Sequence, residues 1–309
     1  METCRILILG AGGIGGYFGA RLAGAGVDVT FLVRPRRAAE LARQGLVVRS
    51  PLGDARLVVT TTDRADRRYD AVVIACKAYD LDAAIDAVHP AVGPGTIVLP
   101  LLNGVRHLDV LDARLPEAQV LGGLCHIGVA VTPEGAIQHL NQIQHLALGP
   151  RTPAQKPPSE ALHAVLSAGG FAPVLSASIL QEMWEKFVFI ASYAGITTLF
   201  RAPIGTIARV GGATIASGLL DECAAIATAS GFPPGAAFTA QSRATLTDMA
   251  STGTASMLRD MQRGARTEQD HILGDMLARA TSCAIAAPIL RIAHTNLQAY
   301  EAALATSRP

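Results

Sequence analysis

Cysteine is scarce and unorganised. The five residues (Cys4, Cys76, Cys125, Cys223 and Cys283) form no Cys-x-x-Cys and no even framework, which excludes a disulfide scaffold and fits reduced thiols in the cytoplasm. The eight histidines do not fall at zinc-ligand spacings, so no metal site is expected. An excess of one charge sign is also missing. The net charge is +1 with 17% charged residues, a balance that argues against nucleic acid. No stretch reaches the ~18 uncharged apolar residues of a spanning helix. The opening METCRILILGAGGIGG has no basic flank, long apolar core or small-residue cleavage site of a signal peptide. A soluble cytoplasmic protein without a membrane partner is the expectation, and 309 residues suit two domains better than one core.

What is present changes character along the chain. In the first half CRILIL, VDVTFLV, AVVIAC, TIVLPL and QVLGGLC read as strands, almost continuously apolar. Parallel strands covered on both faces look like that. Helices are expected between them at 13–25, 79–88 and 105–114, a βαβ rhythm that predicts a doubly wound sheet. Residues 122–148 read as antiparallel additions to the sheet edge, followed by a helix over 159–169 and a strand over 171–175. From 178 onward Ala, Leu, Ile and Met recur at helical spacing. The predicted organisation is a nucleotide-binding domain over 1–175 and a domain of five to seven helices over 176–309.

Gly10-Ala11-Gly12-Gly13-Ile14-Gly15 fits G-x-G-x-x-G between the first strand and a helix. Gly10 permits the tight turn, Gly12 lets backbone approach a pyrophosphate, and Gly15 allows close helix–sheet packing; the helix N-terminus adds amides and a favourable dipole. The next strand ends in FLVRPRR, where an NAD site offers Asp or Glu. Arg34 there suits the 2′-phosphate of NADP(H) by charge-assisted hydrogen bonds. Arg36 and Arg37 read as an ordinary basic turn. Lys77 and Asn103 close two further strands, where such sheets bind ligands. Each reads equally well as a solvated charge or a turn residue.

In the second half, Lys186 opens a stretch with no further charge until Arg201, among Met183, Trp184, Phe187 and Phe189. It reads either as a desolvated ammonium with a pKa drawn towards neutrality, or as half of an exposed Glu182–Lys186 pair. Thr267-Glu268-Gln269-Asp270 could cap a helix, with Glu268 in its first turn, and Ser256 could be a local cap.

With Gly10–Gly15, Arg34, Lys77, Asn103, Trp184-x-Lys186 and SMLRDMQRGARTEQD together, nearly the whole chain resembles the ketopantoate reductase (2-dehydropantoate 2-reductase) family. The resemblance implies an α/β Rossmann-type doubly wound sheet followed by an all-helical second domain. It also implies NADPH-dependent reduction of a 2-oxo acid, a small-molecule partner held between domains. By resemblance Lys186 is the catalytic lysine and Glu268 an acid contacting cofactor or substrate. Asn103 lies near nicotinamide and substrate, Lys77 lines the cofactor cleft, and Ser256 binds substrate. The pattern fails at Ile190, Ala194 and Ile204, where the family places asparagines. Apolar side chains there should weaken recognition of ketopantoate's hydroxyl and favour a more apolar 2-oxo acid. The rival functions are a dehydrogenase for branched aliphatic 2-hydroxy acids and a non-catalytic NADP-binding sensor. A homodimer is left open.

Overall fold

The computed structural model describes residues 4–306. They form two compact units, the first ending at Leu180 and the second beginning at Gln181. The division therefore falls five residues beyond the expected end of the first domain at 175.

The first unit holds a six-stranded sheet. Its strands are β1 (Arg5–Leu9), β2 (Asp28–Leu32), β5 (Thr60–Thr62), β6 (Ala71–Ile74), β7 (Ile97–Pro100) and β8 (Gln119–Val120). They run β5-β2-β1-β6-β7-β8, and every pairing is parallel. Burial on both faces explains the unbroken apolar runs: Ala71–Ile74 is buried at all four positions. The chain winds outward from β1 to β2 and β5, then returns to β6 on the other side. That reversal places a topological switch point between β1 and β6, where open sheets take ligands at the carboxyl ends of their strands.

A second, five-stranded sheet is the main departure from expectation. It comprises β3 (Leu46–Arg49), β4 (Ala55–Leu57), β9 (Gly122–Val131), β10 (Ile137–Gly149) and β11 (Val174–Leu175), ordered β11-β10-β3-β4 with β9 paired antiparallel to β10. Residues 122–148 thus do not extend the edge of the first sheet. QVLGGLC is not one strand either: it crosses from β8 in one sheet to β9 in the other at the fully buried Leu121. Helix α1 (Gly13–Gly24) explains the arrangement, because it serves both sheets. A Cβ at Gly19 would meet Phe31 and Ile8 of the first sheet, and one at Gly16 would meet Ile137 of the second. With hydrogen in those places, Tyr17, Phe18 and Leu22 share one core with strands from both sides.

Further helices of this unit are α2 (Pro35–Gln44), α3 (Leu81–Val88), α4 (Arg106–Arg114) and α5 (Lys156–Ser167). The second unit carries α6 (Ile179–Phe200, whose first two residues belong to the first unit), α7 (Ile204–Ile207), α8 (Ala213–Ala229), α9 (Ala236–Thr247), α10 (Ser256–Gln262), α11 (Asp275–Ser282) and α12 (Pro288–Thr306). Buried Ser192, Thr197 and Thr198 satisfy themselves within α6 by donating to carbonyls one turn back. The N-terminus of α12 is capped from another helix: the Glu222 carboxylate accepts the amides of Ile289 (3.0 Å) and Leu290 (2.8 Å). The run Ile204–Ala229 is long and apolar enough to cross a membrane, which counting uncharged residues passes over because Arg209, Asp221 and Glu222 interrupt it. Gly211 breaks it at φ 92°, and Leu219, Leu220, Cys223 and Ile226 are buried, so one face of α8 packs into the core of the unit.

Candidate active site

At the switch point the backbone turns out of β1 at Gly10, whose φ of 91° is left-handed and costs any residue with a Cβ. The Gly10 amide donates to Leu32 O at 2.9 Å, tying the ends of β1 and β2. Gly12 is the N-cap of α1, and a Cβ there would meet nothing within 4 Å. That open space sits directly before the helix N-terminus, where unpaired amides and the dipole favour a pyrophosphate. Gly15 is packed instead: a Cβ would stand 2.5 Å from Gly10 O and 3.2 Å from Ile8. The three glycines therefore divide turn, approach and packing as expected, and the loop fits a dinucleotide. Ala11 is buried, whereas Gly13 and Ile14, the first residues of α1, are half-buried.

The other expected contributors lie at the same carboxyl edge. Arg34 follows β2 in extended conformation at the start of α2. Its side chain is 82% exposed and pairs with Asp80 at 3.5 Å. Such a surface pair is worth at most ~1 kcal/mol, so the guanidinium can leave it for a stronger anion. Lys77 follows β6 and precedes a 3₁₀ turn. Asn103 follows β7, half-buried beside Gly104 at φ 80°. The reading of Arg36 and Arg37 as a turn is corrected: both lie in α2, because Pro35 at its first position starts the helix. Arg36 is 93% exposed. Arg37 is only 16% exposed and donates to the carbonyls of Ala11 and Gly135. No motif marked Arg37 or Asp80; only their contacts across the chain reveal them.

In the second unit, Lys186 is 8% exposed, between Met183 at 3%, Trp184 at 4% and Phe187 at 0%. The exposed-face reading of Glu182–Lys186 is therefore overturned. Trp184 is itself fixed, stacked on Phe232 with centroids 5.1 Å apart and covered by the Arg279 guanidinium at 5.0 Å. Four and eight residues on, Ile190 is half-buried and Ala194 buried. Ile204 is fully buried, so at that position an apolar residue has joined the core. Tyr193 is half-buried and stacked on Phe189; burial pushes its phenol up, partly offset by the Arg259 charge.

Two capping expectations are corrected. Ser256 is the first residue of α10, the N-cap being Ala255, and its side chain is exposed. Thr267 does not cap a following helix. Its amide and hydroxyl both donate to one Glu301 oxygen, at 2.8 and 2.6 Å. That double bond to α12 pins the strand of chain leading to Glu268, which is 8% exposed. The Glu268 carbonyl accepts the Ile272 amide at 3.0 Å, so this residue stands at the helix entrance rather than within its first turn. Gly10–Gly15, Arg34, Lys77 and Asn103 thus gather in the first unit, and Lys186, Ser256 and Glu268 all belong to the second. Among the described residues no group of three or more His, Cys, Asp or Glu could hold a metal.

A switch-point glycine loop on a doubly wound sheet, followed by a helical unit containing a buried lysine, defines a two-unit protein of the Rossmann dinucleotide-binding class. Residues 6–153 match the family described as ketopantoate reductase PanE/ApbA, and residues 178–301 match its C-terminal part. The chain belongs to that family. An uncharacterized oxidoreductase of Bacillus subtilis, YkpB, is 38% identical over 96% of this chain and 99% of its own length. The 2-dehydropantoate 2-reductase of Halobacterium salinarum is 28% identical over 93% and 95%. Among solved structures, a 2-dehydropantoate 2-reductase from Geobacter metallireducens superposes with TM-score 0.87 at 26% identity, covering 96% of this chain and 99% of its own. A D-mandelate dehydrogenase with NADH and anilino(oxo)acetate, 18% identical, has TM-score 0.86 over 97% and 99% and shares the fold.

Proposed function

We propose that this protein is an NADPH-dependent reductase converting a 2-oxo acid into the 2-hydroxy acid, and that its substrate carries a more apolar side chain than ketopantoate. The observation that carries the reading is Lys186, a lysine only 8% exposed at the head of a stretch with no further charge until Arg201. An amine withdrawn from water among Met183, Trp184 and Phe187 suits a proton donor to a developing alkoxide, for which a non-catalytic NADP-binding sensor has no use. A bound nicotinamide dinucleotide would supply a hydride to the carbonyl carbon. This chain's part is to neutralise the oxygen: Lys186 Nζ gives up a proton to the forming alkoxide and is reprotonated from solvent. The balance is 2-oxo acid, NADPH and a proton in, 2-hydroxy acid and NADP⁺ out. Glu268 and Ser256 act from the same unit, Glu268 on cofactor or substrate and Ser256 as an exposed hydroxyl donor to substrate. The amides of α1 and Gly12 hold the pyrophosphate, Arg34 the 2′-phosphate and Asn103 the nicotinamide end, while Lys77 lines the cofactor cleft.

Ile190 and Ala194, on the helix face of Lys186, favour a branched aliphatic chain over one bearing a hydroxyl. The test is NADPH oxidation across 2-oxoisovalerate, 2-oxoisocaproate and ketopantoate. Comparable or better kcat/KM for the aliphatic acids supports the reading. A preference for ketopantoate of a hundredfold or more would show that other residues supply the missing amide contacts, and turnover of none would remove the reductase assignment. The five scattered cysteines, without a disulfide framework in the sequence, suit a cytoplasmic location, and the partner proposed is this small acid rather than nucleic acid or membrane.

A further inference from the structure

The glycine loop is held from a side that its motif does not mark. Arg37 Nη2 donates to Ala11 O at 3.1 Å and to Gly135 O at 2.9 Å, and Nη1 donates to Glu40 at 3.2 Å. Ala11 lies between the two glycines that form the open cradle. Gly135 lies in the turn joining β9 to β10, in the second sheet. The far end of α2 grips the same turn, Gln44 Nε2 donating to Glu134 O at 2.8 Å. Gly135 is left-handed at φ 83°, and a Cβ there would meet Arg37 Nη1 at 2.5 Å. From β9, Val129 stands 2.9 Å from where a Gly13 Cβ would be. The cradle is thus braced by a sheet that takes no part in its strand-turn-helix motif.

We infer that Arg37 is a positioning residue of the dinucleotide site: its guanidinium clamps the Ala11 carbonyl to the Gly135 turn and so holds the amides of residues 12–15 ready for a pyrophosphate. The inference rests on reading Gly10–Gly15 as a dinucleotide loop. Glycines leave such a loop soft, and ordering it on binding weakens affinity unless the ordering is already done. Three acceptors around one planar fork suit arginine; a lysine keeps the charge but cannot present donors in that geometry.

The experiment titrates the full chain and its Arg37→Lys and Arg37→Met variants with NADPH and NADH by nucleotide fluorescence, alongside steady-state kinetics. Both variants should raise the dissociation constants for both dinucleotides by about tenfold and by the same factor, because the pyrophosphate is common to them. kcat at saturating cofactor should stay within about twofold, and Tm should not follow the affinity loss. Wild-type affinity in Arg37→Lys would reduce the residue to a point charge and overturn the inference. A loss confined to NADPH would make Arg37 a 2′-phosphate ligand and overturn it equally. If Arg37→Met fails to fold, Gly135→Ala pushes on the guanidinium from the hairpin side; unchanged dinucleotide affinity there also overturns the clamp. Failure of the wild type to bind either dinucleotide is a separate result that removes the loop reading beneath it.

Discussion

Replacing Lys186 tests the centre of the mechanism. Removing a positioned general acid lowers turnover about 10²–10⁴-fold, which at 1.36 kcal/mol per tenfold is ~2.7–5.4 kcal/mol of transition-state stabilisation. An exposed pair with Glu182 would be worth only ~0.3–0.5 kcal/mol of helix stability and nothing in turnover. The 8% exposure of Lys186 separates these scales. Lys186→Ala removes the donor. Lys186→Arg keeps a charge that does not release a proton near neutrality. Both variants should lose kcat by at least a hundredfold with the preferred 2-oxo acid, measured by NADPH absorbance, while fluorescence titration gives an NADPH dissociation constant within about threefold of wild type. Turnover within tenfold of wild type in Lys186→Ala, or full rescue by arginine, would refute proton donation by this amine.

Arg34→Ala should weaken NADPH about 10–100-fold, from the ~1.5–3 kcal/mol of a charged hydrogen bond, and leave NADH nearly unchanged; equal losses would remove Arg34 from the 2′-phosphate site. Glu222→Ala strips the cap from α12 and should cost about 1–3 kcal/mol in denaturant unfolding of the helical unit, with no change showing that water replaces the carboxylate. His294 is 8% exposed with Nε2 unpaired among the described residues. Burial holds its pKa below the usual value, opposed by Asp270 and aided by Arg291. The unfolded chain takes up this proton first, so its contribution is full above the unfolded value of about 6.5 and is lost progressively as pH falls from there through the lower folded value. Melting temperature should drop between pH 7.5 and 5.5 more steeply in wild type than in His294→Gln, and parallel slopes would refute it.

Local patterns were legible wherever the chemistry is local. Gly10, Gly12 and Gly15 could be given separate duties before any coordinates, because turn, cradle and packing all follow from a strand meeting a helix. The apolar runs announced a parallel sheet, and helical periodicity announced the second unit. Lys186 stood undecided, since burial belongs to the whole chain and not to one helix. The second sheet was invisible as such: β3 and β10 pair across some ninety residues, and nothing in either strand names its partner.

The amino-acid sequence by itself determined the βαβ rhythm of the first unit, the helical character of the second, the glycine loop and the placing of one lysine at the head of a stretch without further charge until Arg201, because backbone conformation and periodicity act over a few residues. Tertiary structure alone decided that Lys186 is buried, that Ile204 belongs to the core, that Ser256 is exposed at the start of its helix, and that Arg37 braces the cradle through a turn 98 residues away. Hydrogen-bond partners and desolvation come from segments brought together by folding, and no local pattern records which segments those are.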